Sequence, residues 1–210
     1  MLTKDKSILT YTNELGSSLP APGGGGAAAV SASLGTSLLK MVSSLTIGKK
    51  NYLKYEIRLK EIVKILEEKN ALFLSLSDKD EEAFIPLSKA YKLPRETDEE
   101  KKIRQNEIEK CLYQAVIVPI ELMIEIRSVS AYAKELCEIG SRLAISDVGA
   151  GMKLLASGCD AAYLNVIINT RLMQDKEKAD FYATEALSIK NDVSDICNDV
   201  YSLVCKTIKL

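Results

Sequence analysis

The chain has 210 residues, of which 47% are apolar, and a net charge of −1. That is enough apolar material for a sizeable core, and too little charge imbalance for nucleic acid or an anionic membrane as main partner. It contains no histidine, so Ser-His-Asp and Cys-His catalysis are excluded, and acid–base work must fall to Asp, Glu, Lys, Tyr, Cys or water.

Strand signals are nearly absent and apolar spacing is helical almost throughout. The opening MLTKDKSILTYTNEL lacks a signal peptide's apolar core. Residues 4–16 are predicted to form a first short helix ending near Gly16. Pro20 and Pro22 then hold the approach extended, and Gly23, Gly24, Gly25 and Gly26 follow. A buried helix is predicted over 24–47. A glycine run feeding a helix N-terminus exposes free N–H groups at the positive end of the dipole, which suits an anion. The run is neither a G-x-x-x-x-G-K-[ST] loop nor a dinucleotide fingerprint after a strand, and a plain turn before a core helix is the competing reading. Gly48 and the pair Lys49–Lys50 suit the far end of that helix. Lys40 is the one charge between Gly23 and Gly48, and its amine can reach the surface.

A long amphipathic helix is expected next, with Tyr52, Tyr55, Leu59, Ile62, Val63, Leu66 and Phe73 on one face. Another is expected over 78–91, started by a capping box of Ser77 and Asp80 and stopped at Leu93–Pro94. Thr97 and Glu100 form a second capping box, for a helix that Pro119 breaks or kinks; a further helix then runs from about 120 to 139. The segment 147–175 is rich in small residues, as a helix packed closely between others requires. A last helix is expected over about 176–207. Segments 27–47 and 145–168 carry charges and polar residues, so both read as core helices and not as membrane spans. Cys111, Cys137, Cys159, Cys197 and Cys205 form no C-x-x-C pair and read as reduced and structural, pointing to the cytoplasm. The expected fold is all-α: one domain over 1–210, an antiparallel helical bundle of about seven helices.

Several polar residues sit in otherwise apolar or small stretches. Ser146 and Asp147 lie at a predicted helix start, where capping alone explains them. Asn165 and Asn169 are one turn apart and share a face, so they need partners on another helix or on a ligand.

Taken whole, PAPGGGG, the small-residue helix and MVSSLTIGKKNY resemble the N-terminal signature of the formiminotetrahydrofolate cyclodeaminase and methenyltetrahydrofolate cyclohydrolase family. DEEAF at 80–84, KAYKLP at 89–94, GSRLAISD at 140–147 and NVIIN at 165–169 resemble later stretches in the same order. Two positions depart from it: the family usually has Ser where this chain has Gly26, and Asn where it has Ser141. The resemblance implies a reduced folate as substrate, a homodimer, and no metal or redox cofactor. It makes Asp80 the catalytic carboxylate, with Asp147 the second candidate. It implies substrate contacts from the four glycines, Ser146, Asn165 and Asn169, and makes Lys49 and Lys50 partners for the glutamate tail. Hydrolysis of 5,10-methenyltetrahydrofolate is the first expectation, because the chain has no room for a formiminotransferase partner. Cyclodeamination of the 5-formimino compound is the second. A non-catalytic helical assembly module is the alternative of another class.

Overall fold

The computed structural model describes residues 1–209, and among these there are six α-helices and no strand. They are α1 (Ile8–Leu15), α2 (Gly24–Thr46), α3 (Glu56–Ala90), α4 (Asp98–Ile139), α5 (Ile145–Leu172) and α6 (Lys176–Ile208), with single 3-10 turns before α1, α3 and α5. One continuous apolar cluster runs through the bundle.

The sequence divides more finely than the chain does. The helices expected over 52–73 and 78–91 are one helix, α3. Leu59, Ile62, Leu66, Phe73, Leu76 and Leu87 make a single fully buried stripe along it, and burying that stripe outweighs the local start signal at Ser77. Ser77 therefore caps nothing, and Asp80 lies in mid-helix. Pro119 likewise breaks nothing: α4 continues through it for 42 residues. A buried proline in a helix costs about 3 kcal/mol, which the packing of Val116, Ile120, Met123 and Ile126 offsets. The capping box of Thr97 and Glu100 forms as expected.

The central pair is α2 against α5, running antiparallel. Gly24 neighbours Asn165, Ala28 neighbours Gly158, and Gly35 neighbours Gly151. A Cβ on Gly35 would stand 2.6 Å from the Gly151 carbonyl, and one on Gly158 would stand 2.8 Å from that of Ala28. The small residues of α5 thus serve close helix packing. Helix α2 is long and apolar enough to cross a membrane by length and composition, yet half of that stretch is buried inside the bundle. Lys40 sends its amine 3.0 Å from Glu67 of α3. Gly48 has φ 77°, the left-handed turn that ends the run out of α2.

Candidate active site

The start of α2, the second half of α3 and the end of α5 meet around a cleft of about 320 Å³. The chain enters α2 through Pro20–Pro22, and Gly23 is its extended N-cap. Within the helix the first partnered N–H is that of Ala27, which donates to the Gly23 carbonyl, so Gly24 and Gly25 present free N–H groups and Gly26 turns its own toward the Asp80 carboxylate. The glycines use ordinary helical or extended angles here. Their value is the absence of side chains, and a second helix supplies what fills the space.

That group is Asp80. A Cβ built on Gly25 would fall 2.1 Å from Asp80 Oδ1, so the carboxylate occupies the place a side chain at 25 would need. The carboxyl is half-buried, and burial pushes its pKa up to about 6. The backbone N–H of Gly26 pulls the other way, and the charge of the neighbouring Glu81 adds to the rise. A group so poised is largely ionised at neutral pH and still basic enough to take a proton.

On the opposite wall stand Asn165 and Asn169. Asn169 Nδ2 donates to the Ala115 carbonyl of α4 at 3.0 Å, the interhelical bond its position suggested, and Asn165 Nδ2 donates to Ala161 within α5 at 2.9 Å. Each amide is thereby held in place while its Oδ1 can still accept from a ligand. The walls between are apolar. Phe84, Ile168 and Leu172 line the cleft and remain 40–55% exposed, which suits a flat, partly aromatic guest. Glu81 and Tyr91 also line it, and the sequence reading did not single them out. Glu81 could have been found as the neighbour of Asp80; Tyr91 carries no local signal.

The structure brings together Gly23–Gly26, Asp80, Asn165 and Asn169, and does not bring the other candidates to them. Lys49 and Lys50 follow the C-terminal end of α2, about 34 Å along the helix from Gly24. Ser146 and Asp147 open α5, about 27 Å from Asn165 by the same rise. At that end Lys49 Nζ donates to Ser141 Oγ at 2.8 Å, and the Ser141 N–H donates to Thr46 Oγ1 at 2.8 Å. These bonds latch the α4–α5 connection to α2. No group of three or more Cys, Asp or Glu converges as metal ligands among the described residues.

The sequence matches the formiminotransferase-cyclodeaminase family over residues 7–188. It is 34% identical to the methenyltetrahydrofolate cyclohydrolase of Methylorubrum extorquens, over 95% of this chain and 96% of that protein. It is also 34% identical to the formimidoyltransferase-cyclodeaminase of Rattus norvegicus, over 83% of this chain, which spans only 33% of that longer enzyme. The crystal structure of a formiminotetrahydrofolate cyclodeaminase from Thermotoga maritima has the same fold, with a TM-score of 0.82 at 23% identity over 98% of this chain and 97% of that one. The chain belongs to the formiminotransferase-cyclodeaminase family.

Proposed function

We propose that the chain is a methenyltetrahydrofolate cyclohydrolase, with Asp80 as its general base. The observation that carries this is the Asp80 carboxylate set against the free N–H groups of α2 in an apolar cleft. The near end-to-end likeness to a cyclohydrolase of the same length supports it. Water adds to the methenyl carbon between N5 and N10, and Asp80 takes its proton. The ionised carboxylate also offsets the cationic bridge before attack. The free N–H groups of Gly24 and Gly25 suit the oxygen of the tetrahedral adduct. Cleavage of the carbon–N5 bond, with N5 taking the proton held by Asp80 and the adduct's hydroxyl losing its own to solvent as it becomes the carbonyl, then yields the 10-formyl product. Asn165 and Asn169 offer acceptors to N–H groups of the pterin ring. The chemistry needs neither metal nor redox cofactor.

Lys49, Lys50, Ser146 and Asp147 take no part in the cleft chemistry of one subunit. The protein acts as a cytoplasmic homodimer of one cyclodeaminase-type domain per chain. The exposed stripe Leu34, Met41 and Leu45 on α2, with half-buried Leu38 beside it, is the surface a second copy would cover. With Lys40 paired to Glu67, that stripe is uncharged, which fits a copy of itself better than a charged partner.

Cyclodeamination is the second reading, favoured by the likeness to the rat enzyme over 83% of this chain. Incubation with 5,10-methenyltetrahydrofolate, following loss of its near-ultraviolet absorption, tests the first. Ammonia release from 5-formiminotetrahydrofolate tests the second. A chain that does neither is a helical assembly module.

A further inference from the structure

Behind the glycine turn, on the side away from the cleft, stands a hydroxyl that no site residue accounts for. Tyr11, in α1, is 8% exposed, and its Oη faces the Ser77 hydroxyl without forming a well-made hydrogen bond. Buried tyrosine hydroxyls usually find one. A Cβ built on Gly26 would lie 3.2 Å from Tyr11 Oη and 3.1 Å from Ser77 Oγ. Two hydroxyls from two other helices thus converge on the space where residue 26 has no side chain.

The elements around them are tied down. The Thr3 N–H and hydroxyl both lie 2.8 Å from Asp78 Oδ1, and Thr3 Oγ1 is 3.1 Å from Ser77 Oγ. As the Thr3 proton goes to Asp78, Ser77 is the donor to Thr3, and its lone pairs stay open toward Tyr11. Lys6 Nζ lies 2.8 Å from Glu14 and 3.6 Å from Glu81. The first 15 residues are therefore strapped to α3 beside Asp80, and Tyr11 brings its hydroxyl to the first turn of α2.

We propose that Tyr11 is a positioning residue for the reaction: its hydroxyl supplies, from behind α2, the polar contact that position 26 lacks, and so holds the glycine turn against Asp80. This rests on the folate reading above. It makes residues 11 and 26 a coupled pair. A side chain at 26 and a hydroxyl at 11 compete for one place, and either one can serve.

The test is a double-mutant cycle on the full chain, reading kcat, KM and melting temperature with whichever folate the wild type turns over. Tyr11→Phe removes one oxygen and is expected to lower kcat about tenfold, with KM changed less than about twofold and melting nearly unchanged. Gly26→Ser alone is expected to lower activity as well, since its Cβ would press on both hydroxyls. Combined, the two are expected to recover kcat to within about threefold of wild type, the serine donating to Ser77 in place of the tyrosine. Gly26→Ala in the Tyr11→Phe background is expected not to recover it, which separates a polar role from space filling. A Tyr11→Phe enzyme within twofold of wild type in kcat overturns the proposal, as does a Gly26→Ser combination no better than the worse single change. Recovery by alanine equal to that by serine also overturns it. If Tyr11→Phe loses activity only through melting, seen by circular dichroism at the assay temperature, the residue is structural and the proposal fails. A wild-type chain without activity on either folate overturns the folate reading and this proposal together; an active wild type with an indifferent Tyr11 overturns this one alone.

Discussion

Asp80 Oδ1 lies 2.1 Å from the point where a Cβ on Gly25 would be, so carboxylate and side chain cannot share that space. The atom that would yield is the end of a flexible side chain, and the fold can absorb the clash by swinging Asp80 away. Gly25→Ala should therefore cost little stability and most of the activity. Gly24 differs: its Cβ would sit 3.6 Å from Asn165 Nδ2, an ordinary contact. Gly24→Ala should keep kcat and raise KM a few-fold at most, by crowding Asn165. Steady-state kinetics on both variants, with melting curves beside them, check the contrast. Equal loss in the two would mean that the turn needs glycine for its backbone and not to make room for Asp80.

Replacing Asp80 itself removes the base. Asn keeps the shape and much of the hydrogen bonding but cannot accept a proton. Asp80→Asn should lower turnover by at least roughly a hundredfold, the usual scale for a lost general base. Wild-type activity should rise with pH through about 6, the value to which burial pushes this carboxyl, because only the ionised form can act. The residual activity of Asp80→Asn should lack that rise. A variant near the wild-type rate, or one keeping the limb near pH 6, would remove Asp80 from the mechanism. Asp147 would not inherit the role, since it lies at the opposite end of α5 from Asn165.

How much of this was legible in the sequence can be read from particular residues. Helical period, the glycine entry into α2 and the Thr97 cap were local signals and held. The Ser77 start and the Pro119 break were also local signals, and they failed because the buried stripes of α3 and α4 run straight through them. Asp80 was singled out for catalysis by resemblance alone, while local reasoning made it part of a helix cap, which its place in the middle of α3 rules out. The distance of the other candidates from the cleft was legible: 23 residues of α2 already put Lys50 about 34 Å from Gly24, and antiparallel packing of α5 carries Asp147 to the same far end. Tyr11 was not legible. Its meaning depends on residues 26 and 77, which only the packed fold brings to it.

The apolar stripe of α2 makes a separate claim, about assembly. Met41 and Leu45 are exposed on the most apolar helix of the bundle, one turn apart and on one face. If a second copy covers them, a charge placed there must be buried unpaired. Met41→Glu should then shift the protein from dimer to monomer in light scattering at micromolar concentration, while helical circular dichroism persists. A wild-type chain that is already monomeric at that concentration would contradict the dimer.

The last prediction concerns stability and runs opposite to most active-site substitutions. Asp80 has its folded pKa raised to about 6 from an ordinary value of 3.8. Below about pH 3 the carboxyl is protonated in the folded and unfolded chain alike. Between 4 and 6 the unfolded chain has released the proton and the folded chain still holds it. The unfolded state then binds fewer protons, so folding stability falls as pH rises, and the loss is complete above about 6–7. At neutral pH the folded protein thus carries an ionised carboxylate that the unfolded chain would hold more cheaply in water. Scaled down because one side of the cleft meets solvent, the deficit is on the order of 1–2 kcal/mol. The amide of an asparagine cannot ionise, so Asp80→Asn should melt about 2–6 °C above wild type at pH 7.5, given the sensitivity expected of a chain this size. The gap should narrow as pH is lowered to 4, where wild type recovers most of the stability of its neutral carboxyl. Melting curves of the two proteins across pH 4 to 8 decide it. A gap that is constant with pH would mean the amide packs better for reasons unrelated to charge. A wild type that is the more stable at pH 7.5 would mean that the N–H groups of the glycine turn hold the anion more strongly than burial opposes it.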